Sequence, residues 1–239
     1  MSRLLYVDVV LAPGLLPAYS REGATCVVID IFRASTSIIT ALANGARRII
    51  PIETLDEARL LRDEGKVVGA ERNCQRCDFA QFGNDPFEFT PEQVAGKDIY
   101  FTTTNGTRTI KRCMEQGLEV VVGGFVNLSA VASYLRDESV LCVCAGWQGK
   151  FGIEDAIYAG ALVDALRESH TIGSDAARLM CSEWKHHRSD LLKYLRESDH
   201  YARLRSHDKL NAVTYCLSQD IHTIVPKASV NGSEISLTL

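Results

Sequence analysis

Long apolar runs are missing from this 239-residue chain. No stretch approaches the roughly 20 consecutive apolar residues of a membrane-spanning helix. The start, Met1-Ser2-Arg3-Leu4-Leu5-Tyr6-Val7-Asp8, lacks signal-peptide organisation because Asp8 interrupts it. A cytoplasmic protein with no membrane partner is expected. An excess of positive charge is also missing: 26 Lys and Arg stand against 30 Asp and Glu, a formal net charge of −4. With a pI of about 5.9, whole-chain electrostatics give no support for nucleic-acid binding. Attraction for an anion must therefore be local. Disorder has no compositional basis either, since 46% of the residues are hydrophobic and 23% charged. Eight cysteines, among them Cys26, Cys142 and Cys144 inside apolar strands, suit buried reduced thiols better than a disulfide framework.

What is present is an alternation of short apolar strands and helical segments. Leu4 to Leu11 reads as a strand, Leu15 to Tyr19 as a loop, and Ala24 to Ile31 as a strand buried on both faces. Ser35 and Thr36 open a helix reaching Asn44, and Leu55 to Glu64 is a second, amphipathic one. Lys66 to Ala70 is a further strand, followed by a polar loop from Cys74 to Pro91, long enough to be part of a site or a lid over it. Asn127 to Arg136 is helical and Ser139 to Cys144 a strand; a helix begins at Glu154 and Asp155. Ala176 to Trp184, Leu191 to Arg196 and Lys209 to Leu217 are helical, Ile221 to Pro226 a last strand and Ser229 to Leu239 a polar tail. His186, His187, His200 and His207 fall in this polar region and read as solvated surface residues. The pattern predicts an α/β fold: three layers, a largely parallel sheet built from two similar strand-loop-helix halves, and extra helices toward the C-terminus. The halves are expected to form one interlocked domain, about 1–97 and 98–239.

The repeat is visible in the loops. Phe101-Thr102-Thr103-Thr104-Asn105-Gly106-Thr107-Arg108 lies where a strand ends and a helix begins. Free backbone N–H groups and the macrodipole favour an anion there, although a plain Thr/Asn cap reads the same way. An offset of 72 residues, bringing Gly45 onto Gly117, lays Asp30 to Ile38 over Thr102 to Ile110. Two such loops at the carboxyl edge of one sheet could form a single pocket. Ala145-Gly146-Trp147-Gln148-Gly149-Lys150 is a third polar loop, and Glu154 and Asp155 after it are either acids placed by the helix macrodipole or metal ligands.

Five segments, in order, resemble the 2-phosphosulfolactate phosphatase family, whose Mg²⁺-dependent activity is associated with coenzyme M biosynthesis. They are Val28-Ile-Asp-Ile-Phe-Arg-Ala-Ser-Thr-Ser37, Gly69-Ala-Glu-Arg72, Phe82-Gly-Asn-Asp-Pro86, Phe101 to Arg108, and Cys144-Ala-Gly146 with Glu154-Asp-Ala156 and Ala159-Gly160. The loop after Arg72 departs from the family's glycines with Cys74-Gln-Arg-Cys77 and Ala80, and a lone Cys-x-x-Cys is poor evidence for zinc.

The resemblance implies hydrolysis of the phosphate monoester of a small 2-hydroxy acid. Arg33, Ser35 and Thr36, with Thr103, Thr104, Asn105, Gly106 and Thr107, would hold the phosphate and the substrate's second acid; Arg72 and Asn84 would meet its carboxylate or sulfonate. Asp30, Glu71 and Asp155, with Glu154 in reserve, would bind Mg²⁺, and Asp30, Arg33, Glu71 and Asp155 form the catalytic set. Asp30 paired to Arg33 as a loop brace is the bland alternative. The nucleophile is a metal-bound water or the Cys144 thiolate. A phosphosugar isomerase-like enzyme or a non-catalytic binder of small dianions would use the same loops. A homodimer is plausible.

Overall fold

The structure is a computed structural model that describes residues 4–19, 23–232 and 234–239. Along the chain run β1 (Tyr6–Val10), β2 (Ala24–Ile29), α1 (Ala34–Ala43), β3 (Arg48–Pro51), α2 (Leu55–Asp63), β4 (Val67–Arg72), β5 (Gln75–Arg76) and α3 (Pro91–Val94). There follow β6 (Asp98–Thr102), α4 (Gly106–Glu115), β7 (Glu119–Gly123), α5 (Leu128–Tyr134), β8 (Ser139–Cys144), α6 (Ile153–Leu166) and β9 (Thr171–Ile172). Helices α7 (Asp175–His187), α8 (Leu191–Leu195), α9 (Asp199–Ser206) and α10 (Leu210–Cys216) precede β10 (Lys227–Asn231) and β11 (Glu234–Thr238). Leu15 to Tyr19, expected as a loop, belongs to a 3₁₀ segment, Pro13–Tyr19.

The strands form one sheet in the order β5-β4-β6-β3-β11-β10-β7-β2-β8-β1-β9. Pairing is parallel within β4-β6-β3 and within β7-β2-β8-β1-β9. Apolar runs such as Ala24–Ile29 and Ser139–Cys144 are buried at every position, as parallel strands covered on both faces require. The two strand-loop-helix units do not lie side by side. The first strand of each pairs with the second strand of the other: β2 with β7, and β6 with β3.

Two expectations for the end of the chain are corrected. Ser229 to Leu239 is no polar tail, and Ile221 to Pro226 is no strand. Strands β10 and β11 instead pair antiparallel and join the two parallel blocks, Lys227 pairing with Val121 and Leu237 with Ile49. Residues 221–226 run alongside as a strap, held by Asn127 Nδ2 donating to the Ile224 carbonyl at 2.9 Å and by Val122 N–H donating to that of Pro226 at 3.0 Å.

Helices cover both faces of the sheet. On one side of the larger block, α5, α6 and α7 pack on Val27, Ile29, Val140 and Cys142. On the other, α1 and α4 share a cluster in which Cys26 and Val28 from one block meet Ile49, Ile99 and Phe101 from the other. Those two helices therefore lie against inner faces of both blocks. This explains why α1 is buried at every position from Ala34 to Leu42, whereas a helix on an open surface keeps a polar face. Helix α2 covers Ile50 and Val68 on the far face of the smaller block.

Candidate active site

The loops after β2 and β6 meet. Arg33 and Asn105, which the 72-residue offset equates, are the N-cap positions of α1 and α4. Their approach is so close that a Cβ on Gly106 would lie 2.7 Å from that of Ala34 and 2.8 Å from Asp30 Oδ2. Only glycine leaves room for both helix starts.

Each loop is braced by its own hydroxyls. Ser35 Oγ accepts from the Asp30 N–H at 2.8 Å and lies 3.4 Å from the Val28 carbonyl, to which it donates. Thr36 Oγ1 donates to the Ile31 carbonyl. Thr103 and Thr107 bond reciprocally, each N–H to the other's Oγ1, at 3.3 and 3.5 Å. Ser35, Thr36 and Thr107, expected to grip an anion, instead spend their hydroxyls holding the loops in shape.

Between the loops lies a cavity of about 20 Å³ walled by Asp30, Arg33, Thr103, Thr104 and Asn105. The segment after β4 adds Glu71, Cys74 and Asn84, and Trp147 and His200 close the remaining side. Cys74 has a left-handed backbone (φ 64°) and its N–H donates to Glu71 Oε1 at 2.6 Å. Asn84 is pinned through its carbonyl by Ser37 Oγ at 3.2 Å, while its side-chain oxygen is buried with no hydrogen-bond partner. Arg33 is 2% exposed; it donates to the Cys74 carbonyl at 3.0 Å and lies 3.7 Å from Asp85. It is therefore not the partner of Asp30, and the bracing ion pair considered for that residue does not form.

His200 was not expected here. It is 8% exposed rather than solvated, packs edge-on against Phe32, and places Nδ1 2.6 Å from Glu154 Oε1. Burial alone would hold its pKa down, but hydrogen bonds with Cys74 and Glu154 and the charges of Glu154 and Asp30 more than reverse this, pushing it up to about 10. An imidazolium thus faces the same cavity as Asp30. Burial pushes the Asp30 carboxyl up to about 6; the His200 charge and the Ala34 N–H oppose the rise, and Glu71 and Glu154 add to it. The signal available in the sequence was weak, because Glu154 and His200 stand far apart in the chain and α9 has a mostly polar composition.

Other expected positions face elsewhere. Asp155 accepts the N–H of Ile31 on Oδ1 and that of Gly146 on Oδ2, both at 2.8 Å, tying the ends of β2 and β8 together. Arg72 donates to the carbonyls of Glu71 and Glu53 and to Thr102 Oγ1. Neither walls the cavity. Cys144 is fully buried, and burial followed by the charge of Asp155 pushes its thiol well up, which removes it as a thiolate nucleophile.

The cavity's oxygen donors suit Mg²⁺, which takes one or two carboxylates and fills its octahedron with water and substrate oxygens. Asp30 and Glu71 reach the cavity, and the orphaned Asn84 oxygen is a further donor of the same hard character. The four-carboxylate set is not assembled. Asp155 has both oxygens on backbone N–H groups, Glu154 is bound to His200, and among the described residues no three His, Cys, Asp or Glu side chains converge as a ligand group.

The sequence of this chain matches the family model for 2-phosphosulpholactate phosphatase over residues 10–231. A protein of Thermotoga maritima named "Probable 2-phosphosulfolactate phosphatase" is 40% identical over 228 residues, covering 95% of this chain and 96% of its own length. Proteins of the same name from Pseudothermotoga lettingae (38% identical, 88% of this chain and 92% of the relative) and Gloeobacter violaceus (34%, 95% and 97%) are similar along most of their lengths. With a match this extensive, and with the five motif segments contributing to one cavity or its supporting frame, the chain belongs to the 2-phosphosulfolactate phosphatase family.

Proposed function

We propose that the protein is a phosphoric monoester hydrolase that converts 2-phosphosulfolactate to sulfolactate and phosphate with Mg²⁺ as cofactor. The observation that carries this reading is the meeting of Asp30, Glu71, Arg33 and the unpartnered Asn84 oxygen on one cavity between two helix N-termini.

Phosphoryl transfer asks a protein mainly for positioning and for charge where negative charge develops. The Arg33 guanidinium and the His200 imidazolium both line the cavity and would offset the dianion's charge. Thr104 and the first turn of α4 present a hydroxyl and backbone N–H groups to a phosphate oxygen. Asp30, Glu71 and Asn84 would hold Mg²⁺, which when bound supplies charge neutralisation at the phosphoryl group. Asp155 keeps the β2 and β8 loops in register, so that Asp30 does not drift from its partners.

The test is phosphate release from 2-phosphosulfolactate with Mg²⁺ or EDTA, using the wild type, Asp30→Asn and Glu71→Gln. Turnover that EDTA abolishes and Mg²⁺ restores, with both variants reduced at least a hundredfold, supports the reading. Turnover indifferent to EDTA sinks the metal assignment; no phosphate from any 2-phospho-hydroxy acid sinks the activity.

A further inference from the structure

The cavity of about 20 Å³ has room for roughly one water-sized group. A three-carbon substrate carrying a phosphate, a carboxylate and a sulfonate must extend beyond it. Two openings share its walls. A groove of about 470 Å³ begins at Thr104 and Asn105, and a pocket of about 220 Å³ begins at Trp147 and His200.

The two openings differ in the state of their cations. The smaller pocket is lined by Lys150, His200 and Arg203 with Glu154 and Asp199. Arg203 is stacked 4.2 Å from the Trp147 ring centroid and His200 is paired with Glu154, which leaves Lys150 as its one uncommitted cation among the described residues. The groove is lined by Arg108, Lys111 and Arg112 on one side of α4, with Glu53 and Glu115 also in its walls. Lys111 is paired with Glu53 at 2.7 Å, whereas Arg108 and Arg112 make no ion pair among the described residues. They stand four residues apart, one above the other on the helix, where like charges repel. Glu53, whose carboxyl the Arg108 charge helps to hold down, and Glu115 offset that repulsion only in part, since neither forms an ion pair with Arg108 or Arg112 among the described residues. Arg72, the arginine expected to meet the distal acid, is spent on two carbonyls and Thr102, so that role is vacant.

We propose that Arg108, with Arg112 behind it, binds the sulfonate or carboxylate end of the substrate in this groove while the phosphate sits where the groove meets the small cavity, at Thr104 and Asn105. Arginine suits the role because its planar fork meets either acid with two parallel hydrogen bonds. The assignment rests on the phosphatase reading and makes Arg108 the residue that selects diacid esters over simple ones.

The experiment compares wild type, Arg108→Ala, Arg112→Ala and Arg203→Ala on 2-phosphosulfolactate and on p-nitrophenyl phosphate, which has no second acid. The readout is the ratio of kcat/KM for the two esters. A lost charge-assisted contact lowers that ratio about tenfold to a hundredfold in Arg108→Ala, chiefly through KM, and several-fold in Arg112→Ala. An unchanged ratio in Arg108→Ala, or a fall confined to Arg203→Ala, overturns the proposal. If the wild type hydrolyses neither ester, the phosphatase reading has failed, and thermal-shift titration with sulfolactate still decides the groove. Binding weakened at least tenfold by Arg108→Ala supports it; equal binding, or none by the wild type, refutes it.

Discussion

Replacing His200 with glutamine leaves Glu154, which is 3% exposed, without its cationic partner. Breaking a buried pair from one side costs about 3–5 kcal/mol. The pair with Glu154 and the Asp30 charge raise the His200 pKa from about 6.5 to about 10, so the imidazolium partner is present throughout the neutral range. Because the folded-state pKa is raised, this stability is fully present below pH 6.5 and is lost as the pH climbs through 10. Urea unfolding of wild type and His200→Gln at pH 6 and pH 10 reads the effect directly. With a slope of about 3 kcal/mol per molar urea, the midpoints separate by about 1–1.7 M at pH 6 and converge toward pH 10. Groups that titrate in both proteins cancel in the difference. A gap equally wide at both pH values would refute the charged pair as its source.

Three further outcomes test the frame around the site. Asp155→Asn replaces one of two acceptor oxygens with a donor facing an N–H, and should cost about 2–3 kcal/mol by thermal unfolding, with a loss of turnover as the β2 and β8 loops uncouple. Gly106→Ala forces a methyl group against Ala34 and Asp30; kcat/KM should fall at least tenfold and stability by about 1–3 kcal/mol, and full activity in a steady-state assay would mean that the helix starts can part without harm. Cys144→Ser should keep kcat within a few-fold of wild type, since the buried thiol does not reach the cavity; loss of turnover in a variant that circular dichroism shows to be folded would return Cys144 to the mechanism.

The parts legible in the sequence are those with local causes. Polar residues wedged between an apolar run and a helical period placed the loops after β2 and β6, and the 72-residue offset matched their N-cap positions. Side-chain direction was not legible. Ser35, Thr36, Thr107 and Arg72 carry the right chemistry for an anion site, but each turns back to a backbone carbonyl, Arg72 to those of Glu71 and Glu53. The Glu154–His200 pair depends on the fold bringing α6 and α9 together, which no spacing along the chain announces. The hairpin was different. Asn231-Gly232 between alternating apolar positions is a turn signal, and the composition of the segment obscured it.

That hairpin has a consequence for how the protein is made. Strands β3 and β7 emerge from the ribosome long before β10 and β11, yet they do not pair with each other and within the sheet are joined by β10 and β11. Until the hairpin is synthesised, each nascent block carries an open strand edge, the feature most prone to pairing with a neighbouring chain. Leu237, fully buried once in place, acts as the keystone. A ribosome that stalls before residue 227 would release a chain with both edges bare, and such truncated chains should be drawn into aggregates and chaperones even though every residue of the proposed catalytic cavity has already been translated.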